Sequence, residues 1–303
     1  MSTPITILDG GMSRELTRLG APFRQPEWSA YALIEGPEYV RQVHAEFIDA
    51  GAEVITTNSY AVVPFHLGEE RFRAEGRRYA TLAGQLAREA VTQSGKSVTV
   101  AGSIPPIFGS YRPELFVAEE APAILNELIA GLSPFVDVWL AETQSSLAEI
   151  RAIRTALGDD PRPLWISFTL NDDDDHTANV IAGHEHPHPR SDESIADLVA
   201  AAHEVGASAL LFNCSEAEIM EAAIRETRAI DPDLTIGVYA NSFVPETKKM
   251  AANSGLCDIR EDLTPELYLA FARRWADAGA TIIGGCCGIG TQHIAALATG
   301  LHG

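Results

Sequence analysis

Asp277-Ala278-Gly279-Ala280-Thr281-Ile282-Ile283-Gly284-Gly285-Cys286-Cys287 is the stretch whose reading decides the fold. An acid ends a helix, a glycine caps it, a short apolar run follows as a strand, and two adjacent thiols close the unit. The design occurs twice more, as Asp49-Ala50-Gly51-Ala52-Glu53-Val54-Ile55-Thr56-Thr57-Asn58-Ser59 and as Glu204-Val205-Gly206-Ala207-Ser208-Ala209-Leu210-Leu211-Phe212-Asn213-Cys214. Aligned on Gly51, Gly206 and Gly279, the residues Asn58, Asn213 and Cys286 share one register. Ser59, Cys214 and Cys287 share the next. The three cysteines therefore fall at equivalent places, the carboxyl ends of strands.

Around these units the same alternation continues. Short runs rich in Val, Ile and Leu lie at 5–8, 54–57, 98–101, 136–141, 164–168, 209–212, 235–239 and 281–283. Helix-patterned stretches lie between most of them, at 69–93, 121–132, 145–156, 191–205, 215–230 and 265–278. The strands are apolar on both parities, as expected when a parallel sheet is buried on both faces. Eight such β–α alternations predict a single (β/α)8 TIM barrel spanning 1–303; a doubly wound open sheet would show the same alternation. In the barrel, Cys214 ends strand 6 and the Cys286–Cys287 pair ends strand 8, on the face where barrel active sites sit. The stretches 102–115 and 171–190 have no clear periodicity and read as loops on that face. The second carries four successive aspartates and the triad His184, His186 and His188.

The chain has 303 residues, 46% hydrophobic and 21% charged, with 42 acidic and 22 basic residues and a net charge of -20. A surface this acidic repels nucleic acid and anionic membranes, which leaves small molecules as the expected partners. No apolar run approaches the roughly 20 residues of a membrane span, and no basic-then-apolar leader opens the chain, so a cytoplasmic location is the expectation. Four cysteines are too few for a disulfide framework; clustered, they point to metal binding or catalysis.

Three thiolates on one metal leave a fourth position open, the arrangement of a catalytic rather than a structural zinc site. A redox pair, a vicinal disulfide, core thiols, or a four-cysteine site including Cys257 remain open on the residues alone. The first strand ends in Leu8-Asp9-Gly10-Gly11-Met12, where Asp9 could hold an ammonium and the Gly10 and Gly11 amides a carboxylate. Strand 4 ends in Ala141-Glu142-Thr143, which aims Glu142 at the site as base, ligand or ammonium anchor. Asn58 and Asn241 place amides on the same face. Pro187 and Pro189 break the histidine tract, which reads as a solvated loop.

Taken together, Asp9-Gly10-Gly11-Met12, Thr57-Asn58-Ser59-Tyr60, Gly102-Ser103-Ile104, Glu142-Thr143, Asn213-Cys214, Tyr239-Ala240-Asn241 and Gly284-Gly285-Cys286-Cys287-Gly288 resemble the homocysteine S-methyltransferase family over essentially the whole chain. The resemblance implies Zn²⁺ held by Cys214, Cys286 and Cys287, and methyl transfer to the thiol of homocysteine to give methionine. It implies an ammonium anchored by Asp9 and Glu142, a carboxylate near Gly10 and Gly11, and a position at Asn241 that can approach the metal. S-Methylmethionine or another sulfonium is the expected donor. Betaine, a corrinoid or folate partner protein, or a non-catalytic zinc- and thiol-binding barrel are the alternatives. The family's sulfonium users commonly have a compact G-P-Y-G after the third strand. Here it is replaced by Pro105-Pro106-Ile107-Phe108-Gly109-Ser110-Tyr111-Arg112-Pro113, a loop expected to border the donor.

Overall fold

The computed structural model describes residues 4–244 and 258–302. Its strands are β1 (Thr6–Ile7), β2 (Val54–Thr56), β3 (Thr99–Ile104), β4 (Val138–Gln144), β5 (Leu164–Phe168), β6 (Ala209–Asn213), β7 (Ile236–Ala240) and β8 (Ile282–Gly285). All pair in parallel, in the order β1-β8-β7-β6-β5-β4-β3-β2. A parallel bridge between Leu8 and Val54, with Asp9 N–H donating to Val54 O at 3.0 Å, joins β1 to β2 and closes the ring. The structure is therefore the expected (β/α)8 barrel, not an open sheet.

The early helices are α1 (Met12–Arg18), α2 (Ser29–Glu35), α3 (Pro37–Ala50), α4 (Pro64–Leu67) and α5 (Glu69–Ser94). In the middle of the chain lie α6 (Ala121–Leu132), α7 (Leu147–Leu157), α8 (Asp174–Ile181) and α9 (Ile195–Glu204). The chain closes with α10 (Ala217–Ile230), α11 (Pro265–Ala278) and α12 (Thr291–Leu301). The capping glycines behave as their pattern requires: Gly51 and Gly279 end α3 and α11 with φ of 106° and 119°.

Strand residues divide by parity into two cores. Leu8, Val54, Ala101, Val138, Leu140, Ala209, Leu211, Tyr239 and Ile282 fill the barrel interior. Their neighbours in sequence, such as Ile7, Ile55, Val100, Leu210, Phe212 and Ile283, join the larger core between sheet and helices. That division explains why both parities are apolar. It also puts Asn213 and Cys286 on the inward parity of β6 and just beyond β8.

The stretch 171–190 is not wholly a loop. It contains α8, with Asp174 and Asp175 favouring the positive end of the helix dipole and His176, Thr177 and Val180 buried beneath it. The periodicity was too short to stand out beside four aspartates. No described helix is long and apolar enough to cross a membrane.

Candidate active site

The strand ends meet as the register requires. The sulfurs of Cys214 and Cys286 are 2.8 Å apart, those of Cys214 and Cys287 are 3.9 Å apart, and all three lie within 4.8 Å of one another. Among the described residues this trio is the one cluster of side chains with metal-ligand spacing. Cys214 is buried and the other two are half-buried. Cys257 lies outside the described residues.

Two glycine-dependent turns hold the trio. Gly288 follows the pair with φ of 83°, and a Cβ there would strike Ser242 Oγ at 2.0 Å. Gly11, at the end of the first strand, lies so close to the pair that a Cβ would meet Cys286 O at 2.6 Å. Its N–H already donates to Ile289 O at 2.8 Å. The glycine at this position thus serves close packing of two strand ends, a role the motif did not disclose. Ser242 N–H donates to Cys287 O at 2.9 Å, tying the same turn to β7. Cys214 itself sits at φ of 51°, a costly conformation for a non-glycine residue.

Hydrogen-bond contacts with Cys286 and Cys287 hold Cys214 well below the usual thiol range. The same contacts with Cys214 push Cys286 and Cys287 well above it. One negative charge is readily accommodated on the cluster; three require a cation. The donor set therefore fits a thiophilic divalent ion.

Two acids face the thiols. Asp9 accepts Thr56 N–H at 2.7 Å and Thr56 Oγ–H at 3.0 Å, yet burial raises its pKa to about 8. Glu142 accepts Ser103 Oγ–H at 2.7 Å, and burial raises it to about 7. Both carboxylates thus sit where a cationic group would stabilise them. Glu142 owes its aim to a register shift in β4 between Ala141 and Gln144. At this bulge Thr143 adopts φ of 57°. Asn213 holds the bulge: its Oδ1 accepts Thr143 N–H at 3.1 Å and Ser167 Oγ–H at 2.7 Å, and its Nδ2 donates to Thr143 Oγ1 at 2.8 Å. Sequence reasoning gave Asn213 no role, although its shared register with Cys286 was the available signal.

Asn58 and Asn241 both line the cavity, but each has a local task. Asn58 Nδ2 donates to Ser29 O at 3.1 Å, and Asn241 Oδ1 accepts Phe243 N–H at 3.2 Å. Trp28, Tyr60, Tyr111, Tyr239 and Phe243 supply aromatic faces to the same cavity.

The two loops on this face also reach it. Tyr111, from the segment after β3, donates its hydroxyl to Cys214 Sγ at 3.1 Å, and neighbouring Ser110 pairs with Tyr60 Oη at 2.6 Å. From the segment after β5 come Asp172 and Arg190, joined at 2.5 Å. No sequence signal distinguished Tyr111, Asp172 or Arg190. The histidines of that segment lie elsewhere: His184 and His186 are exposed, His186 pairs with Glu226, and His188 packs at a tilt against His176.

The homocysteine S-methyltransferase family model matches residues 6–301. A homocysteine S-methyltransferase of Escherichia coli (strain K12) is 31% identical, covering 97% of this chain and 94% of its own. One of Bacillus subtilis (strain 168) is 29% identical over the same shares. The metallated crystal form of the Escherichia coli homocysteine methyltransferase MmuM superposes with a TM-score of 0.77 at 27% identity, covering 97% of this chain and 96% of that one. With its barrel, its three converging thiols and a match over nearly its whole length, this chain belongs to the homocysteine S-methyltransferase family.

Proposed function

We propose that the chain, acting as one homocysteine-binding barrel domain, moves a methyl group from a sulfonium donor to the thiol of homocysteine, with S-methylmethionine the first candidate donor. The observation that carries this reading is the convergence of Cys214, Cys286 and Cys287 with the acids Asp9 and Glu142 in one aromatic-lined cavity.

A Zn²⁺ ion held by Cys214, Cys286 and Cys287 would deprotonate the acceptor thiol, which alone, with a pKa near about 8.5, is mostly protonated at neutral pH. The remaining work belongs to side chains. Asp9 and Glu142 bind the ammonium of the acceptor, whose charge offsets the burial that raises both carboxyl groups. The backbone at Gly10 lies beside them to receive the acceptor's carboxylate. Aromatic faces of Trp28, Tyr60 and Tyr239 favour a cationic sulfonium, each contact worth about 0.5–2 kcal/mol. The acceptor sulfur attacks the methyl carbon in line. A carbon–sulfur bond forms as the donor's breaks, and the bonding pair leaves on a neutral thioether. No general acid is then required, and holding both substrates in the cavity supplies orientation.

A donor panel tests the reading: S-methylmethionine, S-adenosylmethionine, betaine, methyltetrahydrofolate and a methyl-corrinoid protein, each with homocysteine and with selenohomocysteine. Methionine formation with a sulfonium is the expected result. Turnover solely with betaine or a partner-borne methyl group would replace it.

A further inference from the structure

Arg14 and Arg190 are the cations among the cavity-lining residues, which also include Asp9, Glu142, Asp172 and the thiols. In so anionic an enclosure a ligand carboxylate enters at a cost unless a fixed cation meets it. Arg190 comes from the segment after β5, the strand four places from β1 in either direction round the barrel and so opposite the strand that carries Asp9. Its side chain is 18% exposed, and its Cζ lies 4.7 Å from the centroid of the Tyr111 ring. The Tyr111 hydroxyl reaches Cys214 Sγ at 3.1 Å. One phenol side chain therefore spans the distance from guanidinium to thiol cluster.

Arg190 is oriented by its neighbours. Its Nη2 donates to Asp172 Oδ1 at 2.5 Å, and its Nε to Thr169 Oγ1 at 3.4 Å. Asp172, 1% exposed, is itself fixed by Glu216 N–H at 3.0 Å. A guanidinium has five N–H donors in a rigid fork, so these two bonds leave a second edge for a carboxylate.

We propose that Arg190 recognises the carboxylate of the methyl donor and so selects among sulfonium donors for those that carry one a few bonds from the reacting methyl group. This rests on the methyl-transfer reading above and narrows its donor class. The aromatic faces take the sulfonium near the thiols, and Arg190 takes the other end, one phenol length away.

Dimethylsulfoniopropionate and trimethylsulfonium test it, because both are sulfonium donors without an ammonium and they differ by the carboxylate arm. The zinc-loaded full chain is compared with Arg190→Gln and Arg190→Lys, homocysteine being the acceptor. For the parent enzyme a lower KM with dimethylsulfoniopropionate is expected. Arg190→Gln should raise that KM by about 10–100-fold, the loss of one charge-assisted bidentate contact. It should leave kcat/KM for trimethylsulfonium, and KM for homocysteine, within about two- to threefold, inside the usual scatter of such measurements. Arg190→Lys should recover part of the preference. Equal losses on both donors would make Arg190 a structural latch and overturn the proposal; so would an unchanged preference. Calorimetric binding of both sulfoniums to parent and Arg190→Gln protein gives the same comparison without turnover. If neither of these nor S-methylmethionine methylates homocysteine yet the carboxylate-dependent binding is lost in Arg190→Gln, the donor-class reading of the reaction fails while the carboxylate site stands.

Discussion

The two sides of the cavity are built differently. The thiol wall comes from residues at or next to the ends of β6 and β8, with Cys214 N–H bonded to Tyr239 O at 3.1 Å and Cys286 N–H to Ala240 O at 2.9 Å. The arch, Tyr111 and Arg190, comes from two long segments after β3 and β5, joined by side-chain contacts, the second segment also closed by a backbone bridge between Leu170 and Pro189. Backbone already locked into a closed sheet gives the wall its fixed geometry. The arch rests on a few contacts that lie outside the closed sheet. On the proposed reading, acceptor chemistry sits on the wall and donor choice on the loop side, where families commonly vary.

The largest effect should come from the wall. Cys286→Ser removes one thiolate and leaves the other two unable to hold a divalent ion tightly. Metal analysis after dialysis should find no stoichiometric zinc, and methyl transfer should fall by about a thousandfold or more, the scale expected when the group that generates the nucleophile is lost. Full activity in a zinc-free Cys286→Ser protein would remove the wall from the mechanism.

Glu142 is next, because on the proposed reading it binds the acceptor's ammonium rather than the metal. Glu142→Ala should raise KM for homocysteine by about 10–100-fold, the cost of losing one buried charge-assisted contact, with zinc content intact. Loss of zinc instead would make Glu142 a ligand and merge the two roles.

The acids also give the empty cavity a pH signature. Asp9 and Glu142 have folded-state pKa values of about 8 and about 7, far above those of free carboxyl groups. Between roughly pH 4 and 8 these two groups therefore bind more protons in the native state than in the unfolded state, and their contribution to stability falls as pH rises. For metal-free, ligand-free protein, denaturant titrations should show a slope of up to about 1.4 kcal/mol per pH unit for each group within its window. Asp9→Asn should flatten that slope, and a profile identical to the parent's would show that Asp9 is ionised throughout.

The wall was legible in the sequence because it is periodic. A capping glycine, a strand of fixed length and a polar end recur three times, so counting seven residues from Gly51, Gly206 and Gly279 located Asn58, Asn213 and Cys286. What the count missed was the bulge at Glu142–Thr143, since Asn213 holds it from a neighbouring strand. The arch was not legible in that way. Tyr111 and Arg190 are 79 apart in sequence, carry no repeat, and meet because two loops fold over the same mouth. The segment after β5 drew attention through its histidines, yet it contributes its aspartate and arginine.

Tyr111→Phe gives the smallest effect and probes the link between the two sides. The substitution deletes one hydroxyl and keeps the ring under Arg190. A hydrogen bond to a sulfur ligand draws charge from it, and its removal is worth about 1 kcal/mol, so kcat should change by no more than about three- to tenfold. The sharper readout is optical. In Co²⁺-substituted protein the sulfur-to-metal charge-transfer band should move to longer wavelength in Tyr111→Phe, because a Cys214 sulfur without its donor gives up an electron more readily. An unmoved band together with an altered donor KM would mean that Tyr111 serves the arch alone, as the surface on which Arg190 rests. A moved band with unchanged donor KM would make it part of the wall. The moved band alone is expected, since the hydroxyl 3.1 Å from Cys214 Sγ is lost while the ring, its centroid 4.7 Å from the Arg190 guanidinium carbon, stays in place.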